Sequence, residues 1–285
     1  VAYNTGTDPT LTELISRYFV PKIYSQAAIM HTKSNLVAQQ VCNTTYKSDL
    51  RKGDTVYIPV YTEGSATEVT PGTTATAGDH TTTGKSLTVD QWYYDAADIS
   101  HLGKVEDHVG YLKGATESCA YTVAKKIDTD VGSLYSTTGG STQANSDGDN
   151  FTDATFRSLV QTLDENDVPD ESRSLVGDPS MKSDILNIDK FVRVDYVNNP
   201  AVPKGLIGQL YGAKVYITNN LTAATHGNYG IYMHRDCIGL AVQMNPNVHI
   251  HELGWEFRFL LIVDAAWGKA EIRDTFGKSF YTKSS

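Results

Sequence analysis

Two short strand patterns, separated by a long connection almost without apolar side chains, constrain this chain more than any other feature. Gly53-Asp54 leads into Thr55–Tyr61, where Val56, Ile58 and Val60 alternate with Thr55, Tyr57 and Tyr61. That is the period-2 pattern of a strand. Pro59 within the run has no amide hydrogen, which restricts the run to an edge or partly unpaired position. A second strand is expected over Lys85–Tyr94, with Leu87, Val89 and Tyr93 on one face. Between the two, Thr62–Gly84 is crowded with Thr, Gly and Ala, and Val69 is its only sizeable aliphatic side chain. Ordering a backbone costs roughly 1–2 kcal/mol per residue, more than such a segment recovers from its own burial. A connection of this length is unusual inside a compact domain. Two readings stay open: a loose surface loop, or a hairpin that projects from the molecule and is ordered by a neighbouring subunit.

The period then changes from 2 to 3.6. Val105, Val109, Leu112, Cys119, Val123, Ile127, Val131 and Leu134 form one apolar stripe, with Glu106, Lys113, Glu117, Lys125 and Asp128 largely off it. The stripe predicts one helix, of roughly 45 Å at 1.5 Å per residue, in which Gly110 and Gly114 weaken the first turns. A helix of that length suggests a spine against which sheets and arms pack. Ahead of the hairpin, residues 1–50 read as an arm: a short helical pattern (Leu11, Ile15, Tyr18) stopped by Pro21, then a looser one carrying Ile29, Leu36 and Val37.

Gly139–Asn150 (GGSTQANSDGDN) is rich in turn formers and is the best candidate for a domain boundary. Beyond it Thr152 or Asp153 caps a helix through Leu163 with Phe156, Leu159, Val160 and Leu163 as its buried face. Arg173–Val176 reads as a short buried strand. Asp178-Pro179 opens another helix, with Met181, Ile185, Leu186 and Ile188 as its apolar positions. A loop through Asn198-Asn199-Pro200 and Pro203 follows, then strands at Ala213–Thr218 and Gly230–His234 and an apolar segment, Ile238–Met244. Alternating helices and short strands make this half an α+β or α/β module. The tail, Val248–Arg273, reads as strand, with Trp255, Phe257, Phe259, Leu261 and Val263 alternating and Gly268 bending the chain.

Length and charge narrow the function classes. A chain of 285 residues with 40% hydrophobic side chains can bury a sizeable core in one large or two small domains. Its formal net charge of −9, from 24 basic and 33 acidic residues, and its longest basic run, Lys125-Lys126, argue against gripping nucleic acid through bulk charge. Cys42, Cys119 and Cys237 are odd in number and widely spaced, as expected of buried free thiols rather than a disulfide framework. The start, VAYNTGTDPT, has no apolar signal region. The most apolar stretch, Phe257–Trp267, is broken by Arg258 and Asp264 and is too short to span a bilayer. These features predict a protein made in the cytoplasm without a membrane partner.

Candidate sites are few. His249 and His251 share one face of a strand, a geometry that binds zinc, with Glu252 beside them, but no third ligand follows at metal spacing. Neighbouring strand histidines are more often solvated or hydrogen-bonded; His80, His226 and His234 are scattered. Asp147-Gly148-Asp149 lacks the remaining oxygens of a calcium loop and reads as a turn. Gly205, Gly208 and Gly212 precede a strand rather than a helix and so do not cradle phosphate. No nucleophile elbow, paired-cysteine or zinc-protease motif is present, so neither a catalytic constellation nor a cofactor is expected.

The order of these pieces is similar to that of the Hong Kong 97-type coat proteins of tailed bacteriophages, an α+β fold, and local runs agree. Phe19 to Ser25 (FVPKIYS) resembles the family's start, and Lys52 to Pro59 (KGDTVYIP) the entry to its extended hairpin. Val168 to Val176 with Asp178-Pro179 resembles a strand of its axial domain. Gly205 to Tyr216 with Thr218 to Leu221 resembles the end of that domain, and Trp267 to Arg273 (WGKAEIR) its closing strand. The resemblance spans essentially the whole chain. It implies an N-terminal arm at 1–50, an extended loop at 51–95, a peripheral domain with the spine helix at 96–150, an axial domain at 151–245, and peripheral return strands at 246–285. It further implies a non-enzymatic major capsid protein, found in the virion, that forms hexamers and pentamers around packaged double-stranded DNA touched only non-specifically. Scaffolding protein, portal and decoration proteins are the partners it implies. On this reading Val56, Ile58, Val60, Val69, Leu87, Val89 and Trp92 serve inter-subunit assembly, and Val109, Leu112, Val123 and Ile127 form the core face of the spine helix. Lys85 lies on the loop where some members cross-link Lys to Asn, with no partner placed. The alternatives are an encapsulin-like nanocompartment shell of the same fold and a metal-dependent hydrolase built on His249, His251 and Glu252.

Overall fold

The computed structural model describes residues 36–51, 53–61, 64, 66–72, 74, 82–100, 111–139, 143–188 and 209–283. The helical patterns expected around Leu11 and Ile29, the stripe positions Val105 and Val109, and the loop at 198–208 lie outside these residues, as does the side chain of Leu112.

The long helix, α2, runs Tyr111–Gly132 after a short α1 at Ala38–Val41. Its 22 residues span about 33 Å. Cys119, Val123, Ile127 and Val131, spaced four apart, are all buried on one face, which is what the 3.6-residue period requires of an amphipathic helix. That face lies on a four-stranded antiparallel sheet of β1 (Thr55–Tyr61), β2 (Thr82–Ser100), β7 (Ile238–Leu253) and β8 (Arg258–Glu271), in the order β1-β2-β8-β7. Cys119 packs with Leu261 and Val263, while Val123 and Ile127 share a larger cluster with Ala265, Trp267 and Val242.

Asp128 departs from the expected pattern. It is buried, and its carboxylate accepts the backbone N–H groups of Val37 (2.9 Å) and Ala38 (3.0 Å) at the start of α1. A charge read as solvated from helical spacing alone is desolvated by a segment ninety residues away, which no local pattern reveals.

The second half builds a five-stranded sheet, β4-β5-β3-β6-β9, from β3 (Arg173–Gly177), β4 (Gln209–Leu210), β5 (Ala213–Ile217), β6 (Gly227–His234) and β9 (Gly277–Lys283). β3 pairs parallel with β5 and antiparallel with β6. Helices α3 (Asp153–Glu165) and α4 (Pro179–Asn187) pack on it. The side chain of Thr152 caps α3 by accepting the Thr155 N–H, and Asp178 caps α4 by accepting that of Met181. Phe156, Leu159 and Leu163 are fully buried with Leu175, Met181, Tyr232 and Phe280, whereas Leu186, expected among the apolar positions, is exposed.

Three expectations about the tail need correction. Trp255 and Phe257 are not strand residues: β7 and β8 are joined by a turn, closed by the Glu256 N–H donating to the Leu253 carbonyl, and Phe257 sits at φ +49°. Gly268 does not bend the chain; it lies within β8, where a Cβ would come 2.2 Å from the Thr88 carbonyl oxygen, so glycine lets β2 and β8 approach. The tail also does not end beside the long helix, because β9 pairs with β6 in the five-stranded sheet. Within the expected boundary, residues 143–150 are held in place: the Ala144 N–H donates to the Ser279 carbonyl, Asn145 bonds both backbone groups of Tyr281, and Asp147 accepts the His226 N–H. Ala144 and Asn145 thereby lie along the outer edge of β9.

Candidate inter-subunit surface

The hairpin β1–β2 is rooted in the four-stranded sheet, while the described residues of its connection are left exposed. β2 pairs with β1 over Thr82–Thr88 and with β8 from Val89 to Ser100, so one strand runs continuously from the sheet into the hairpin. Pro59 faces Gly84 on the edge strand β1, where its missing donor is harmless. Past Tyr61, every described residue of the connection is exposed, Val69 included.

The two faces of this hairpin are not the ones expected. Ile58 and Leu87 are buried with Leu50, Ala241 and Ile272, and Val56, Val60 and Val89 pack against the same cluster. These five aliphatics, expected to serve assembly, instead seat the hairpin on its own subunit; a strand anchored to a core must give it one face. Of the expected contact residues, Val69 and Trp92 are exposed. A register shift between Val89 and Gln91 explains a second discrepancy. Across this bulge, Leu87 and Val89 pack in the hairpin-root cluster, while Tyr93, itself exposed, stacks on Trp267 at 5.4 Å and lies under Lys126 of the long helix. One extra residue moves the following side chains to the other face.

The outward positions are aromatic. Tyr57 is 78% exposed, Trp92 74% and Trp255 99%; Tyr61, Tyr94 and Phe257 are also exposed. The Trp92 indole N–H donates to Asp264 Oδ2 at 3.0 Å, and Asp264 is buried beneath it. His249 Nε2 lies 3.4 Å from the other oxygen of Asp264 and 3.3 Å from the Asn247 amide nitrogen. A tryptophan already held by a hydrogen bond has less rotamer freedom to lose on docking, and large aromatics are the residues that anchor protein interfaces.

His249 and His251 do share a face, with ring centroids 6.3 Å apart, but His249 turns toward Asp264. Among the described residues, no group of three His, Cys, Asp or Glu side chains is arranged to hold a metal ion. No described helix is long and apolar enough to cross a membrane. Cys42, Cys119 and Cys237 are free and buried. Aromatic exposure at Tyr57, Tyr61 and Tyr94 was missed in the sequence, although the alternation at Tyr57 and Tyr61 carried the signal: the tyrosines, not the valines, face outward.

A helix laid on a four-stranded sheet with a projecting hairpin, joined to a five-stranded mixed sheet with two helices, defines a mixed α+β fold, and that fold is found in phage capsids. A chain from Mycobacterium phage Che8 superposes with a TM-score of 0.77 at 21% identity, over 93% of this chain and 97% of that one. The capsid structure of cyanophage P-SCSP1u gives a TM-score of 0.72 at 14% identity, covering 100% and 97%. The mature capsid of bacteriophage PhiM1 gives 0.70 at 12% identity, covering 94% and 93%. No protein-family model matches the sequence, and no curated protein does.

Proposed function

We propose that this protein is a major capsid protein, a structural subunit whose copies join as hexamers and pentamers into a closed icosahedral head around double-stranded DNA. The observation that carries the reading is the agreement of 93 to 100% of the chain with the folds of phage capsid chains. The projecting hairpin supports it independently. Its outer face carries Tyr57 and Tyr61, its connection carries Val69, and all three are exposed. On this reading β1, β2 and their connection are the extended loop of the Hong Kong 97-type fold, laid across a neighbouring copy. The helix α2 is the spine of the peripheral domain, with Val123 and Ile127 in its core face, and residues 1–50 are the arm. The five-stranded sheet with α3 and α4 is the axial domain, with β9 included in it. The subunit acts without catalysis or cofactor, in the virion, with scaffolding, portal and decoration proteins as partners and only non-specific contact to DNA.

Electron microscopy of the purified protein, alone and co-expressed with the structural genes beside its own, tests the proposal. Closed shells or hexamer-sized capsomers are expected, with DNA inside particles made during infection. Enzyme cargo in place of DNA would point to a nanocompartment shell; a protein that stays monomeric in both settings would sink the reading. Replacing residues 62–81 by an Asn-Gly turn should leave a folded subunit that forms no stable shell.

A further inference from the structure

The carboxylate of Asp128 sits where three parts of the molecule meet. It belongs to the long helix α2. Its Oδ2 accepts the Val37 N–H at 2.9 Å and its Oδ1 the Ala38 N–H at 3.0 Å, so it caps the start of α1 from outside. The Val37 side chain makes no capping bond to α1 itself. From the loop that follows β5, the Asn220 side-chain amide donates to Oδ2 at 3.4 Å, and the Asn220 N–H is held by Thr218 Oγ1 at 3.2 Å. One turn further along α2, Gly132 leaves room for the Asn220 carbonyl, which a Cβ would meet at 3.3 Å.

Val37, Ala38, Asp128, Thr218 and Asn220 are all buried. Burial pushes the Asp128 carboxyl above its usual range, and the three hydrogen bonds pull it part of the way back. A desolvated carboxylate that loses one donor leans on the remaining ones or admits water, so its bonds are mutually dependent. Beyond α1, the same segment seals Cys42 and then joins the edge of β7: the Asn43 N–H donates to the Ile238 carbonyl and the Leu240 N–H to the Asn43 carbonyl.

We propose that residues 36–44 form a strap latched by Asp128, and that release of the strap is coupled to movement of the loop at 218–221 through that one carboxylate. Besides the burial of Val37, Ala38, Val41 and Cys42 in the core, the strap has two polar holds, the Asp128 carboxylate and the sheet edge at Asn43, so the first can open while the second keeps the segment close. The long helix thereby links the segment that leads into the hairpin with the loop that leaves β5. This coupling belongs to the single subunit and stands whether or not the protein builds shells.

Hydrogen exchange read by mass spectrometry on the full chain tests it, in wild type, Asp128→Ala and Asn220→Ala. In Asp128→Ala, exchange in 36–44 and in 218–221 should both accelerate about tenfold, the factor for roughly 1.4 kcal/mol of local stability, while 173–177 in β3 stays unchanged. The decisive arm is Asn220→Ala. The Asn220 side chain meets Asp128, whose carboxylate holds the Val37 and Ala38 amides, and exchange at those amides should accelerate too. Acceleration confined to 218–221 in that variant would overturn the coupling. Equal acceleration of 173–177 would show global loosening and overturn the latch. Should Asp128→Ala fail to fold, Asn220→Ala, which removes the 3.4 Å bond to Asp128 and leaves the carboxylate in place, still decides the question.

Discussion

At the scale of single residues, burial governs chemistry more than sequence neighbours do. His234, at the end of β6, is buried, and its Nδ1 accepts the Asp236 N–H at 3.2 Å, which fixes a neutral ring. Desolvation lowers its pKa, outweighing the nearby Asp236 carboxylate. The folded state therefore resists protonation, while the unfolded chain takes up its proton near the ordinary value of about 6.5. Stability should fall as pH drops through that value and level off below the lowered folded one. Urea titrations at several pH values should show this slope in wild type and a flatter one in His234→Gln. Cys42 is similarly governed: burial first, then the charge of Asp128, push its thiol up to about 12. Alkylation at pH 8 should leave Cys42 unmodified in the native protein and modify it in urea, because the thiolate is the reacting species.

Among the elements, those whose information is local could be read in advance. Thr152 and Asp178 announce α3 and α4 as side-chain caps, and Phe156, Leu159 and Leu163 fall on the expected buried face. Tertiary events could not be read. The bulge between Val89 and Gln91 reverses the faces of β2, and nothing in Val-Asp-Gln marks it. Burial of Asp128 depends on Val37 and Ala38, far away in sequence. Likewise Arg173, expected only as the start of a strand, is a buried guanidinium bonded to Asp164, Asp170 and the carbonyls of Val168 and Pro169. Gly268 looked like a bend and is a close approach, which gives a sharp prediction. In Gly268→Ala the new methyl group would meet the Thr88 backbone at 2.2 Å. β2 and β8 must then move apart, at a cost of about 3 kcal/mol, visible as a lower thermal midpoint.

For the whole molecule, the exposed aromatics matter to association rather than to folding. Trp255 is 99% exposed, so Trp255→Ser should change subunit stability by less than about 0.5 kcal/mol. If the turn between β7 and β8 serves assembly, the same variant should lower shell yield in sedimentation assays; unchanged yield would remove Trp255 from the contact. The net charge of −9 acts in the opposite sense to the aromatics. Copies of an acidic chain repel one another, and the screening length shrinks from about 30 Å at 0.01 M salt to about 8 Å at 0.15 M. Assembly should therefore be promoted by salt over that range, as light scattering would report.

The continuity of β2 has a mechanical consequence. The strand that forms the hairpin with β1 is the same strand that lies beside β8 up to Ser100. A pull on the hairpin along its axis would load the hydrogen bonds between β2 and β8 in shear, all of them together. Peeling a strand from its end breaks such bonds one after another and needs far less force. A neighbour holding the hairpin would thus be tied to the sheet as if by a tendon, and tension between copies would be borne by many bonds at once.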